Sequence, residues 1–185
     1  MTVVAKKLFQ YFLRALVWIA HKLYGIEGIN ALLILMPAKL IAPTLRKHGA
    51  SIGANVEIHS PLIIHNAKDG YRNLVIGDNC YFGREVFFDL ADRITIDDNV
   101  TISMRVSILT HLDVGKSPLA ERHLVAKRSP VHLKRGSYVG AGAMILHGVT
   151  VGEEAAVGAM SLVKRDVPSR TLVGGVPITV IRKFD

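Results

Sequence analysis

The chain has 185 residues, half of them hydrophobic, with 23 lysines and arginines against 15 aspartates and glutamates and a formal net charge of +8 at pH 7. That hydrophobic content excludes an intrinsically disordered chain, and the length fits one domain, or one domain with an appendage. A single cysteine, Cys80, excludes an intramolecular disulfide framework and a cysteine zinc cluster, and reads as a small buried core residue. A basic balance can meet nucleic acid, anionic lipid or a phosphorylated cofactor. Here the cations form no block and accompany no helix-turn-helix or RNA-stacking pattern, so no nucleic-acid partner is expected.

Residues 1–48 read as a helical extension. The stretch AKKLFQYFLRALVWIAHKLY (5–24) begins basic and turns apolar, loosely like a secretory signal. Gln10 and Arg14 interrupt it, however, and no convincing small-x-small cleavage site follows. Its longest apolar run, Ala15 to Ala20, falls far short of the roughly 20 residues that span a bilayer. Lys7, Gln10, Arg14 and His21 recur at helical spacing and predict an amphipathic helix with a broad apolar face. A second apolar segment, 29–42, follows Gly25 and Gly28 and is punctuated by Pro37 and Pro43.

From residue 49 a different period takes over. Leu133, Val139, Ile145, Val151, Val157 and Val163 are aliphatic at every sixth position, and Gly140, Gly152 and Gly158 follow three of them. Small or apolar residues recur four positions on, at Ala143, Val149, Ala155 and Ser161. The beat is also kept by Ile52, Ile58 and Ile64, by Ile76, Phe82 and Phe88, and by Ile96, Ile102 and Ile108. A period of six matches neither a helix nor an ordinary strand. It fits a strand-plus-turn unit repeated three times per coil of a triangular parallel β-helix, whose coils bury their inner faces only by stacking. This predicts a mainly β chain, with a β-helix over 49–170 and a C-terminal tail over 171–185.

Three breaks interrupt the beat. NAKDGYRNL (66–74) reads as a small polar loop, two extra residues enter near Asp89 to Arg93, and the pattern is lost from about 112 to 130. That last stretch is charged, bears two prolines and reads as a loop protruding from the column. His111 stands where regular coil gives way to it.

Three segments carry a resemblance: IDDNVTISMRVSILTH (96–111), YVGAGAMILHGVTVGEEAAVGAMSLVKRDVP (138–168) and GGVPITVIRKFD (174–185). Together they resemble the left-handed β-helix hexapeptide-repeat acyltransferases, in the branch of maltose, galactoside and nodulation-factor O-acetyltransferases and polysaccharide acetyltransferases. The match covers roughly residues 49–185 and leaves the N-terminal extension uncovered. It implies an acetyl-CoA-dependent transfer of acetyl to a sugar hydroxyl, in surface polysaccharide or glycolipid synthesis. Such chemistry needs a base for the attacking hydroxyl, a task suited to neutral imidazole, and donors for the oxyanion. By resemblance His111 is that base, and Asp89 orients it or holds the acceptor. Asp113 is a weaker candidate for orienting His111 and a candidate for holding the acceptor. Tyr138 stands where the branch usually has a tryptophan against the acceptor. The pantetheine arm of the donor falls to Ala141, Ala159 and Ser161, and its phosphates to Lys164, Arg165, Arg182 and Lys183. The family's donor groove lies between neighbouring columns, which implies a homotrimer.

Other readings stand beside this one. An N-acyltransferase on an amino sugar would use the same base and donor, and a non-catalytic trimeric scaffold would use neither. A serine acetyltransferase would bring a helical domain and a histidine motif that are not found. A zinc carbonic anhydrase on the same column needs three converging histidines, but His59 and His65 are six apart and fall on successive faces, so no metal is expected. His123, His132 and His147 lack the placement of His111. The extension either caps the open end of the column or touches the inner face of a membrane through residues 5–24. The expected location is cytoplasmic, with or without that peripheral contact.

Overall fold

The six-residue beat closes into a column of three parallel sheets, one to each face. The computed structural model describes residues 3–185. The first face stacks Ile52, Ile76, Ile96, Leu133 and Val151 in register. The second stacks Ile58, Phe82, Ile102, Val139, Val157 and Val173. The third stacks Ile64, Phe88, Ile108, Ile145 and Val163. Every one of these side chains is buried, as are Cys80, Val100, Val106, Ala143, Val149 and Ala155 four positions after a face residue. The result is a β-solenoid of about five coils with no edge between coils except at its ends.

Phe82 and Phe88 meet edge to face in the early coils, with ring centroids 5.9 Å apart. Both are fully buried. Phe88→Ala is expected to cost about 3–5 kcal/mol, because the stacked coils cannot collapse into the void. Urea unfolding of the variant beside the parent checks this.

The ends of the column are closed differently. At the N-terminal end, helix α1 (Val3–Leu33) and helix α2 (Ala38–Lys47) lie over the first coil, burying Ile29, Leu33, Met36, Leu40, Ile41 and Leu45. The buried Tyr71 hydroxyl donates to Asn30 Oδ1 at 2.8 Å, tying α1 to the first inserted loop. The Arg46 guanidinium donates to the carbonyl oxygens of Ile52, at 2.9 Å, and Gly53. Capping of the open end is therefore what the second half of α1 and α2 do. The first half turns Leu13 and Val17 toward α2 and leaves much of its apolar side exposed. Its Tyr11, Phe12, Trp18, Leu23 and Tyr24 are exposed. The side chains of residues 5–7 and of Gln10, which belong to the expected membrane-touching stretch, lie outside the described residues. Among the described residues no helix is long and apolar enough to cross a membrane.

Gly25 bends α1, with φ +60 and ψ −145 where helical values would continue it. Only glycine takes such a conformation without strain. The bend brings Gly28 against Ala20, so that a Cβ added at Gly28 would stand 2.3 Å from the Ala20 carbonyl oxygen. Pro43, expected to interrupt the second segment, instead lies within α2.

At the C-terminal end the column runs on to Gly174, past the expected boundary at 170, because Thr171–Gly174 continues the second face beside Ala156–Val157. The chain then turns back, and Thr179–Lys183 pairs antiparallel with that last strand. The tail is thus a strand of the column's final edge.

The three breaks in the beat fall at one corner. Ile64 to Ile76, Phe88 to Ile96 and Ile108 to Leu133 are all steps from the third face to the first, in successive coils. The 25 positions from Ile108 to Leu133, which are close to four repeats, make a single step. The protruding segment is not structureless. His111–Leu112 pairs antiparallel with Lys127–Arg128 at its base, and a short helix α3 (Leu119–Arg122) lies within it.

Candidate active site

Stacking three insertions at one corner brings together residues from coils some twenty positions apart. Asp89 ends a third-face strand, Val86–Asp89, whose ladder partner is Leu62–His65. Its side chain is only 1% exposed, and a buried carboxylate survives only if its lone pairs are met. They are met from two coils. Asn66 Nδ2 donates to Oδ1 at 2.7 Å and Ala91 N to the same oxygen at 3.3 Å. Thr110 N donates to Oδ2 at 2.8 Å. His111 Nδ1 lies 2.5 Å from Oδ2. Asn66 takes a left-handed conformation, φ 58, that asparagine tolerates better than most residues, and its amide is thereby left facing the carboxylate. Thr110 is buried as well. Its hydroxyl lies 2.7 Å from the Asp89 carbonyl oxygen and 3.0 Å from Oδ2, and accepts from Asp92 N at 2.9 Å.

Burial, the largest single influence on Asp89, pushes its carboxyl upward. The hydrogen bonds from Asn66, His111 and Thr110 together outweigh that and hold it below the ordinary aspartate value. An ionised Asp89 fixes the tautomer of its neighbour. Nδ1–H of neutral His111 donates to Oδ2, and Nε2 is left with its lone pair.

The imidazole is 27% exposed and lines a cleft of about 270 Å³. The wall around it comes from the insertions: Asn66, Lys68, Arg72, Asp113 and Arg128. Arg128 sits directly opposite His111 in the two-stranded clasp, where paired residues share a face. The arrangement is a neutral-imidazole base, oriented by a buried carboxylate, opening on a polar cleft. It can take a proton from a hydroxyl or amine.

The other candidates are placed differently. Asp113 lines the cleft but does not orient His111. Its Oδ1 accepts from Gly115 N at 2.7 Å and shapes the turn instead. Tyr138 points outward from the second face, its hydroxyl 3.1 Å from Ser103 Oγ, and does not line the His111 cleft. Ala141 and Ala159 stack at the corner between the second and third faces, where Met160 N donates to Ala141 O at 2.8 Å. Ser161 is turned inward and buried, its Oγ accepting from Gly175 N at 3.2 Å, so its hydroxyl is not offered to a ligand. Arg165 donates to Ile178 O at 2.9 Å, and the Arg182 guanidinium lies 5.2 Å from the Phe184 ring centroid. Lys164 and Lys183 are exposed. Asp113 apart, none of these lines the His111 cleft. His132 pairs with Asp97 at 2.9 Å. Among the described residues no group of three His, Cys, Asp or Glu side chains is placed to hold a metal ion.

Asn66, Lys68, Arg72, Thr110 and Arg128 were not singled out from the sequence. The signal was available in the phase of the breaks. Assigning each break to a face shows that all three leave the third face, and that their residues must meet.

No family model matches the chain. Among curated proteins it is 30% identical over 140 residues to the putative colanic acid biosynthesis acetyltransferase WcaF of Escherichia coli, covering 75% of this chain and 72% of that one. It is 26% identical over 141 residues to the galactoside O-acetyltransferase of the same organism, covering 74% and 64%. The first curated relatives extend beyond the shared part, and the chain spans 35% to 64% of their lengths. Among solved structures, a maltose O-acetyltransferase from Clostridium difficile superposes with a TM-score of 0.72 at 25% identity, over 86% of this chain and 84% of that one. With the six-residue beat, the three-sided column and relatives aligned along most of it, the chain belongs to the hexapeptide-repeat acetyltransferase family.

Proposed function

We propose that the protein transfers the acetyl group of acetyl-CoA to a hydroxyl of a saccharide, with His111 as general base and Asp89 as its positioning residue. The observation that carries this reading is the 2.5 Å contact between His111 Nδ1 and the buried Asp89 carboxylate at the wall of a polar cleft. His111 Nε2 takes the acceptor's proton as its oxygen attacks the thioester carbonyl. The tetrahedral adduct then collapses to the ester, and the departing thiolate is protonated by the imidazolium. The base is regenerated, and protons and electrons balance. Positioned general-base catalysis contributes about 10²–10⁴-fold. Relatives described as galactoside, maltose and colanic acid acetyltransferases support a sugar of a surface polysaccharide or glycolipid as acceptor.

The donor fits the opposite edge of the third face. The small side chains of Ala141 and Ala159 leave the corner backbone approachable by a pantetheine arm, and Lys164, Arg165, Arg182 and Lys183, on the last coil and the folded-back tail, are the candidates for its phosphates. That corner and the His111 corner flank one face, so a single column cannot bring them together. A homotrimer in which the donor corner of one protomer meets the His111 cleft of the next completes the site. Acetyl-CoA as donor supports a cytoplasmic location, with or without a peripheral contact at the inner face of the membrane.

The test is release of free thiol from acetyl-CoA against a panel of saccharides and amino sugars, with the product then treated with hydroxylamine. An acetyl ester is expected and is cleaved. A resistant amide would favour N-acylation, and no thiol release with any acceptor would overturn the enzyme reading in favour of a scaffold.

A further inference from the structure

The His111 cleft does not end at the inserted corner. A second cleft of about 470 Å³ shares Lys68 and Arg72 with it and is completed by His21, Lys47 and His48 from the helical cap. A third, of about 270 Å³, shares Lys47 and His48 with the second. Otherwise it runs between α1 and α2 along Leu13, Val17, Met36, Leu40 and Pro43, with Arg14 and Thr44 also in its wall. Moving away from His111, the lining therefore changes from polar to cationic to apolar.

The cationic stretch is built of groups with nothing to pair with. Lys47, Lys68, Arg72 and Arg128 form no ion pair among the described residues. Asp69 is the one acid in the wall that the first two clefts share, and it pairs with none of them. His48 Nε2 is buried with no hydrogen-bond partner, in a chain whose other buried polar side-chain atoms, Ser137 Oγ apart, are satisfied among the described residues. A buried, unpartnered imidazole nitrogen beside unpaired cations is a setting that suits an anion with acceptor oxygens. Burial foremost, and then the charges of His21 and Lys47, hold His48 below the ordinary imidazole value, as expected where the local potential is positive.

We propose that the acceptor is a saccharide joined through phosphate to a lipid: the sugar at His111, the phosphate against Lys68, Arg72, Lys47 and His48, and the start of the lipid chain between α1 and α2. The inference rests on the reading of His111 as the transfer base. The order of the clefts selects the occupant. A mainly apolar groove that shares the Lys47 and His48 wall with a cationic cleft suits an apolar chain attached directly to an anion. The first half of α1 suits the same setting, since it exposes Trp18, Leu23 and Tyr24 beside Arg14 and Lys22, a composition suited to an anionic lipid surface.

Binding tests this without relying on turnover. The probes are a free hexose, the same hexose 1-phosphate, a UDP-hexose and a farnesyl-phosphate-linked hexose, titrated calorimetrically into the protein. Affinity is expected to rise about tenfold from the free sugar to the phosphate and about tenfold again to the farnesyl conjugate. The Lys68→Ala/Arg72→Ala double variant is expected to remove most of the first ratio. Leu13→Asp, at a partly buried site, is expected to remove the second, with melting temperature recorded for both. Equal affinity for free and phosphorylated hexose, or a ratio indifferent to the double variant, overturns the proposal. So does UDP-hexose binding as tightly as the farnesyl conjugate. Tight binding of the conjugate with no thiol release from acetyl-CoA would uphold the acceptor assignment while overturning the transfer reaction.

Discussion

Replacing His111 by alanine is expected to slow acetyl-CoA-dependent thiol release about 10²–10⁴-fold, with the fold intact. The imidazole is the group in the cleft placed to act as a base, because the Asp89 carboxylate orients it through Nδ1 and its Nε2 is left for the acceptor. Without it, the acceptor hydroxyl must lose its proton to water. The stability cost is small by comparison, since Asp89 Oδ2 still accepts from Thr110 N at 2.8 Å. Donor binding is expected to be preserved, because the donor corner lies across the third face from His111. The variant should therefore retain affinity for acetyl-CoA while losing turnover. Undiminished release by a folded variant would remove His111 from the mechanism.

Asp89→Asn should be nearly as damaging to rate and more damaging to the fold. The carboxylate is acceptor-only and receives donors on both oxygens, Asn66 on one and Thr110 and His111 on the other. An amide must present its NH2 to one side. Turned toward Asn66, it sets two donors against each other. Turned toward His111, it opposes Thr110 N–H and forces Nδ1 to accept, which moves the ring proton to Nε2 and removes the base. A drop of about 10²–10⁴-fold in kcat follows, together with about 1–3 kcal/mol of stability for each buried group left unsatisfied. The pH dependence of stability discriminates further. Asp89 has its folded value depressed, so its contribution is present above the unfolded aspartate value and is lost as pH falls through the folded one. The gap in melting temperature between parent and Asp89→Asn should therefore be widest near neutrality and narrow on acidification.

The column itself was legible because its signal is strictly local and repeats: sixth-residue aliphatics such as Val139, Ile145 and Val151 each need only their own coil to be read. His111 was legible because it ends the last regular coil before the charged insertion. The Asn66–Asp89–Thr110 network was not, since its members lie 21 to 23 positions apart. They meet only because the insertions add unequal lengths at one corner. Asp113 lies in the cleft wall, but not as an orienting group. Its closeness in sequence to His111 suggested an orienting role, yet local turn chemistry claims its side chain for Gly115 N. The inward turn of Ser161 was hidden for a related reason, as its partner Gly175 belongs to the folded-back tail. In the extension, the exposed apolar side of α1 was visible as pattern. The bend at Gly25, which separates a capping half from a half that stays largely exposed, becomes clear only once Gly28 is seen against Ala20.

The central claim is that a corner built by three insertions holds a neutral imidazole that deprotonates the acceptor. Its most direct test is the pH dependence of thiol release for the parent and for His111→Ala, each measured where the fold is intact. The parent should show an acid limb of one proton, as protonation of the imidazole removes the base, and the variant's residual rate should lack it. The same acid limb in both proteins would contradict the assignment of His111.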